Sequence, residues 1–215
     1  MSVIPIVPAV IPKSESEVIE FTKRLSFSHE FHLDVTDGNF VPSVSWPYEP
    51  IGEPMAVKPH TDKYTLEVDL MVCDPIKAAR AWIKAGADML VFHVETIDLA
   101  SFIDFADHER VSVGISFSGD TPLEAIFPYL KYADYVQMMG IHVIGEQGQP
   151  FDTSALGKIK ALDPLIPISV DGSINKDTIV DVVKAGADRL IVGSAIVKQE
   201  DPEAAYRHLC SLING

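Results

Sequence analysis

The chain predicts a (β/α)8 barrel of the TIM type, formed by residues 1–215 as one domain. Three observations carry that expectation. Strand-like and helix-like runs alternate from end to end, and eight such pairs in 215 residues give about 27 residues per unit, the density of a small barrel. Several apolar runs end in carboxylates, and polar groups gathered at the carboxyl ends of strands mark the working face of this architecture. The pentapeptide KAGAD occurs at 84–88 and again at 184–188, each time ahead of a strand and four units apart, which is half a barrel.

The elements follow in order. Strand signals lie near residues 3–10, 31–36, 64–70, 89–94, 111–117, 134–139, 166–170 and 189–192, short runs dominated by aliphatic and aromatic residues. Amphipathic patterns occupy 14–25, 75–85, 175–185 and 202–212, with apolar residues three and four apart, as at Ile179, Val182 and Val183. Ser14 and Ser16 are candidate helix caps, and Gly86 and Gly186 are placed to stop helices in the left-handed region. KAGAD also serves as a good helix-to-strand turn in any α/β protein, so the repeat leaves ancestry open. No linker, low-complexity tract or charge run divides the chain.

Composition narrows the function classes. With 47% hydrophobic residues, the chain can bury one large core. A net charge of −14 argues against a nucleic-acid partner, and leaves local backbone dipoles to hold any anionic substrate. No apolar run approaches the ~20 residues that span a bilayer, and the first residues, MSVIPIVP, lack a basic segment and a cleavage site. Cys73 and Cys210 have no ligand spacing, which suggests inert thiols in a reduced compartment. A soluble, cytoplasmic protein is expected, without membrane or nucleic-acid contacts.

The segment EFHLDVTDG at 30–38 is the leading candidate for chemistry. Alternate side chains of a strand share a face, so His32, Asp34 and Thr36 project together, opposite Phe31, Leu33 and Val35. An imidazole and a carboxylate two residues apart can hold a metal or move a proton. Taken alone, H-x-D is usually a half-exposed strand. Here the pattern is repeated, with Asp69 in LEVDLMV (66–72) and Asp171 in IPISVDG (166–172).

A second element lies toward the end of the chain. VDGSI (170–174) and VGSAI (192–196) close strands seven and eight, where barrels of this kind often bind phosphate. The small residues Gly172, Ser173, Gly193 and Ser194 let backbone amides approach an anion, and a helix start after each turn would add its dipole. Gly145 and Gly148, in the loop after strand six, are placed to close over the same ligand. His93 is expected inside the barrel, with Glu95 on the same face. Met71, Met138 and Met139 read first as core filler, and His142 as a loop residue. Trp46 and Tyr48, in the loop after strand two, are expected near a subunit contact or the site, the contact being favoured.

The order and spacing of these motifs resemble the ribulose-phosphate 3-epimerase family over nearly the whole chain. HLDVTDGNFVP (32–42) is similar to that family's H-x-D-x-M-D-G-x-F-V-P, and LEVDLMV to its L-D-V-H-L-M-V. VFHVE (91–95), TPLE (121–124), GEQGQPF (145–151), VDGSIN (170–175) and AGAD followed by VGSAI (185–196) have their counterparts in order. The resemblance implies a metal-dependent epimerase of a phosphorylated ketose, of the ribulose 5-phosphate to xylulose 5-phosphate type. Asp34 and Asp171 would exchange protons on opposite faces of an enediolate. His32, Asp34, Asp69 and Asp171 would hold one divalent ion: zinc, manganese, iron or magnesium. Thr36, Met71, Met139 and His142 would line the substrate, and the chain would form a homo-oligomer, a dimer or a hexamer.

Several positions depart from the family pattern. Asp69 stands where the family has a ligand His, Thr36 where it has Met, and Ala9 where it has Ser; MGIHV (139–143) replaces M-T-V-N-P. The extra carboxylate makes the ligand set more negative and shifts its preference toward harder ions. Asp69 and Asp74 also have the spacing of D-x-K-x-x-D, found in related decarboxylase and aldolase barrels, but Met71 occupies the lysine position. A catalytically silent phosphate-binding barrel is the reading from another class.

Overall fold

Short apolar runs that alternate with amphipathic helices close here into a parallel barrel. The computed structural model describes residues 3–146, 148–162 and 165–214. The strands are β1 (Ile6–Val10), β2 (Glu30–Thr36), β3 (Thr65–Met71), β4 (Met89–His93), β5 (Ser112–Ser116), β6 (Tyr135–Met139), β7 (Ile168–Asp171) and β8 (Arg189–Val192). Each pairs in parallel with its neighbour in sequence, and β1 closes on β8. The helices are α1 (Glu15–Arg24), α2 (Lys58–Thr61), α3 (Pro75–Lys84), α4 (Leu99–His108), α5 (Ala155–Leu162), α6 (Ile179–Ala185), α7 (Ser194–Val197) and α8 (Pro202–Ile213). Between β5 and β6 only a 3-10 turn (Leu123–Ile126) crosses.

Local chemistry fixes the helix ends. The Ser14 hydroxyl accepts the Glu17 N–H at 3.1 Å and caps α1, whereas Ser16 lies inside that helix. Gly186, at φ +115°, ends α6 in the left-handed region. That helix starts at Ile179 rather than near 175. The preceding residues fold instead into a side-chain-bonded turn, in which the Asn175 N–H donates to Thr178 Oγ1 at 3.0 Å and the Asp177 N–H to Asn175 Oδ1 at 2.9 Å.

The two KAGAD copies do the same work half a barrel apart. Asp88 donates its N–H to the Leu66 carbonyl at 2.9 Å and accepts the Leu66 N–H on Oδ2 at 2.9 Å. Asp188 makes the same pair of bonds to Ile168, at 2.8 Å each. Asp134, outside any KAGAD, does so to Val113 at 2.8 Å. The motif is therefore one way of presenting an aspartate that pins the amino end of the neighbouring strand.

Outward-facing strand residues such as Phe31, Leu33, Leu66, Val68 and Leu70 are buried beneath the helices. Trp46 joins that layer, 1% exposed and edge-on to Trp82 at 6.0 Å. This corrects the expectation of a subunit contact for Trp46: the loop after β2 folds its indole inward and leaves Ile51 and Met55 exposed. Inside the barrel, Val7, Ala9 and Ile191 form a small apolar cluster. Much of the rest of the interior is polar, with His32, Glu67, Asp69, His93, Ser116, Gln137 and Ser169 all buried beside the apolar Val91, Met71 and Met139. Among the described residues no helix is long and apolar enough to cross a membrane.

Candidate active site

Buried polar groups are usually hydrogen-bonded, and the charged ones inside this barrel bond to one another in tiers, while the Ser116 and Ser169 hydroxyls have no partner among the described residues. In the lower tier Glu67 is fully buried and receives Arg189 Nη1, the Tyr135 hydroxyl and His32 Nδ1, each at 2.6 Å. Burial alone would raise the Glu67 pKa, but the charges of His32 and Arg189 outweigh it and hold the carboxyl at about 2. Arg189 is anchored in turn by Glu30, whose Oε2 accepts Nε–H at 2.9 Å.

His32 links this tier to the next. With Nδ1 held by Glu67, its Nε2 points toward the carboxyl ends of the strands and lies 3.2 Å from Asp34 Oδ1. Burial works against protonation of this ring, yet Glu67 and Asp34 carry its pKa well above the ordinary value. Burial also raises Asp34, opposed by His32 and reinforced by Asp69. Asp171 is pushed well above the carboxylate range, first by burial and then by the charge of Asp34.

Asp69 completes the upper tier. Its Oδ1 lies 2.8 Å from His93 Nε2, and its Oδ2 accepts Gln137 Nε2–H at 2.7 Å. His32, Asp34, Asp69 and Asp171 each offer one ligand atom, and these four atoms lie within 4.8 Å of one another. The set fits a divalent cation. Two buried carboxylates and a partly buried third repel one another, a cation would relieve that, and the one imidazole is already aligned through its far nitrogen as metal-bound histidines usually are.

A cavity opens above the cluster. Asp34, Asp171, Met71, Met139, Gly145, Gly148, Gly172, Ser173, Gly193 and Ser194 line it, with Ala9 and Glu146. Two residues expected against the substrate are absent from that lining. Thr36 is buried, and His142 is exposed and paired with Asp120 at 3.0 Å. The helix dipole expected after Gly172 is also missing, because α6 starts only at Ile179; α7 follows Gly193 directly but is a single turn. The turn after β7 presents loop backbone instead. Gly172 has φ +102° and Ser173 φ +56°, and the Ser173 hydroxyl donates to the Gln149 carbonyl, tying the β7 loop to the β6 loop.

Sequence reasoning passed over Glu67, Gln137, Tyr135 and Arg189. Strand periodicity held the signal for two of them, since Glu67 lies two residues before Asp69 and Gln137 two before Met139.

Comparison with known proteins bears on this site. A model of the ribulose-phosphate 3 epimerase family matches residues 5–197. A ribulose-phosphate 3-epimerase of Bacillus subtilis (strain 168) is 36% identical over 189 residues, which is 83% of this chain and 84% of that protein. One from Aquifex aeolicus (strain VF5) is 32% identical over 85% of this chain and 83% of its own length. Among solved structures, KGPDC from Streptococcus mutans in complex with D-R5P superposes with a TM-score of 0.78 at 13% identity, covering 99% of this chain and 98% of that one. A 3-hexulose-6-phosphate synthase gives a TM-score of 0.73 at 21% identity over 97% and 99%. At such identities the two structures show a shared fold.

Proposed function

This chain belongs to the ribulose-phosphate 3-epimerase family, and on that premise we propose that its pentose-phosphate epimerase activity runs between Asp34 and Asp171 by way of an enediolate. The observation that carries this reading is that the two carboxyls come from β2 and β7 and line one cavity. Inverting the carbon beside a ketone requires a base on one face and an acid on the other. Both pKa values are raised, that of Asp171 the more strongly, so one group holds a proton while the other accepts one. The ketose is of the ribulose 5-phosphate and xylulose 5-phosphate type.

His32, Asp34, Asp69 and Asp171 would hold one divalent ion, which when bound supplies Lewis-acid stabilisation of the developing oxyanion. Backbone amides at Gly172, Ser173, Gly193 and Ser194 bind the substrate phosphate, and the Gly145–Gly148 loop covers it. Met71 lines the cavity where the decarboxylase and aldolase barrels carry a lysine, which argues against that chemistry. A cytoplasmic location fits two free cysteines and a relative in Oryza sativa named as a cytoplasmic isoform.

The test combines metal analysis of the purified protein with epimerisation of ribulose 5-phosphate in heavy water. Asp34→Asn and Asp171→Asn should each cost about 10²–10⁴-fold in rate. Each should also retain exchange of the C3 proton from one epimer only. Undiminished epimerisation in either variant would sink the two-carboxyl reading.

A further inference from the structure

Asp69 stands at a position where its carboxylate has two donors of its own, and neither belongs to the cluster it faces. Its Oδ1 lies 2.8 Å from His93 Nε2 on β4, and its Oδ2 takes Gln137 Nε2–H on β6 at 2.7 Å. Ser116 of β5 is the register partner of both His93 and Gln137, so the two donors sit at one level of the barrel wall. Both are fully buried. Among the described residues His93 Nδ1 and Gln137 Oε1 have no hydrogen-bond partner, so His93 is oriented at this level by its contact with Asp69, and Gln137 by Asp69 together with a longer contact from Nε2 to the Met139 sulfur at 3.8 Å.

A carboxylate oxygen has two lone pairs. With one donor on each, both oxygens of Asp69 keep a lone pair free, and the plane of the group is set. Without those donors Asp69 would face Asp34, its register partner across β2 and β3, as an unrestrained like charge.

We propose that His93 and Gln137 are positioning residues that hold the Asp69 carboxylate in place as a ligand of the divalent ion. The proposal rests on the epimerase reading above and adds two residues to it. Carboxylates that bind metals are themselves hydrogen-bonded, and loss of such a partner costs about 10–100-fold in metal affinity. The pair works through Asp69 and touches neither the substrate nor the ion.

Calorimetric titration of metal-free protein with Mn²⁺ tests it. The proteins needed are the unmodified chain, His93→Leu, Gln137→Leu and His93→Gln, the last keeping an N–H donor near the position of Nε2. Circular dichroism and thermal unfolding establish that each is folded, and the His93 pair suffices if Gln137→Leu is not. The unmodified chain should bind one ion. Both leucine variants should bind it about 10–100-fold more weakly, with His93→Gln recovering most of the loss. In an Asp69→Ala background, His93→Leu should cause no further loss, because the two changes act through one group.

Leucine variants that bind Mn²⁺ as tightly as the unmodified chain would overturn the positioning role and leave the epimerase reading intact. So would a His93→Gln protein as weak as His93→Leu, or an additive loss in the Asp69→Ala background. An unmodified chain that takes up no ion would overturn the metal part of the epimerase reading, and this inference with it.

Discussion

Asp34 and Asp69 are direct register partners across β2 and β3, so two buried carboxylates face the same level of the barrel interior. Like charges placed opposite one another on neighbouring strands are destabilising, and Asp171 brings a third acid within 4.8 Å of the same point. A fold that collects three acids and one imidazole there favours protons on His32 and Asp171, and a bound cation would take their place.

A pH dependence of stability follows, and a bound ion should remove it. Around His32 stand Glu67, Asp34, Asp69 and Asp171. Burial opposes its protonation, but Glu67 and Asp34 prevail and raise its pKa well above the ordinary value. Burial and Asp34 raise Asp171 likewise. Both groups thus bind a proton more tightly in the folded chain than in the unfolded one. Their stabilisation is complete below the unfolded values and is lost as pH rises through the folded ones. The Tm of chelator-treated protein should fall as pH rises above the unfolded carboxyl and imidazole values, about 4 and 6.5, and saturating Mn²⁺ should flatten that decline. Glu67, held at about 2, has the opposite sign, and its contribution is lost only in strong acid. A Tm that rises with pH above those unfolded values without metal would contradict the argument.

The Ser173 backbone sits at φ +56°, a conformation that costs a non-glycine residue about 1–2 kcal/mol. Its hydroxyl ties the β7 loop to the Gln149 carbonyl, a bond worth about 1 kcal/mol. Ser173→Gly removes both terms, so the Tm should move little while the loop over the cavity loses its tether. Steady-state kinetics should show a raised KM with kcat changed less. A large loss of Tm would mean that the hydroxyl is structural first.

Asp88→Ala and Asp188→Ala should cost the same, because the two carboxylates accept the same kind of strand N–H half a barrel apart. Each loss is expected at about 1–2 kcal/mol, read from chemical denaturation. Strongly unequal values would show that the repeated pentapeptide marks a shared turn and not a shared load.

The barrel was legible because its strands and helices differ in period. Runs such as 64–70 and 89–94 fall at the expected places, and their boundaries move by only a residue. Asp34, Asp69 and Asp171 were legible because each stands at or near the carboxyl end of a strand, and His32 because it alternates with Asp34 on one face of β2. Glu67, Gln137 and Arg189 were not. A polar residue inside an apolar run ordinarily reads as the solvent side of an edge strand, and only closure of the barrel turns that side inward. Trp46 misled for the converse reason: an aromatic in a loop reads as exposed until the loop is seen to fold its ring onto Trp82.

Asp69→His should raise zinc affinity and epimerisation. An imidazole there gives the two-and-two ligand set of the family pattern and lowers the negative charge of the cluster by one unit. A charge ~4 Å away at an effective dielectric near 20 is worth about 4 kcal/mol as an upper scale, acting against an enediolate. Bound to the ion through one nitrogen, the new ring would carry its proton on the other and donate it to Gln137 Oε1, which has no partner now, once that amide turns from the orientation that gives Nε2–H to Asp69 Oδ2 at 2.7 Å. Bound zinc measured by mass spectrometry and epimerisation measured by a coupled assay, in both proteins, decide the outcome. A gain of tenfold or more in either quantity, about 1.4 kcal/mol, would show that Asp69 limits zinc-supported epimerase chemistry. No gain in either would mean that Ala9, Thr36 and the β6 loop have moved this site to another pentose phosphate or another ion, with Asp69 tuned to it through His93 and Gln137.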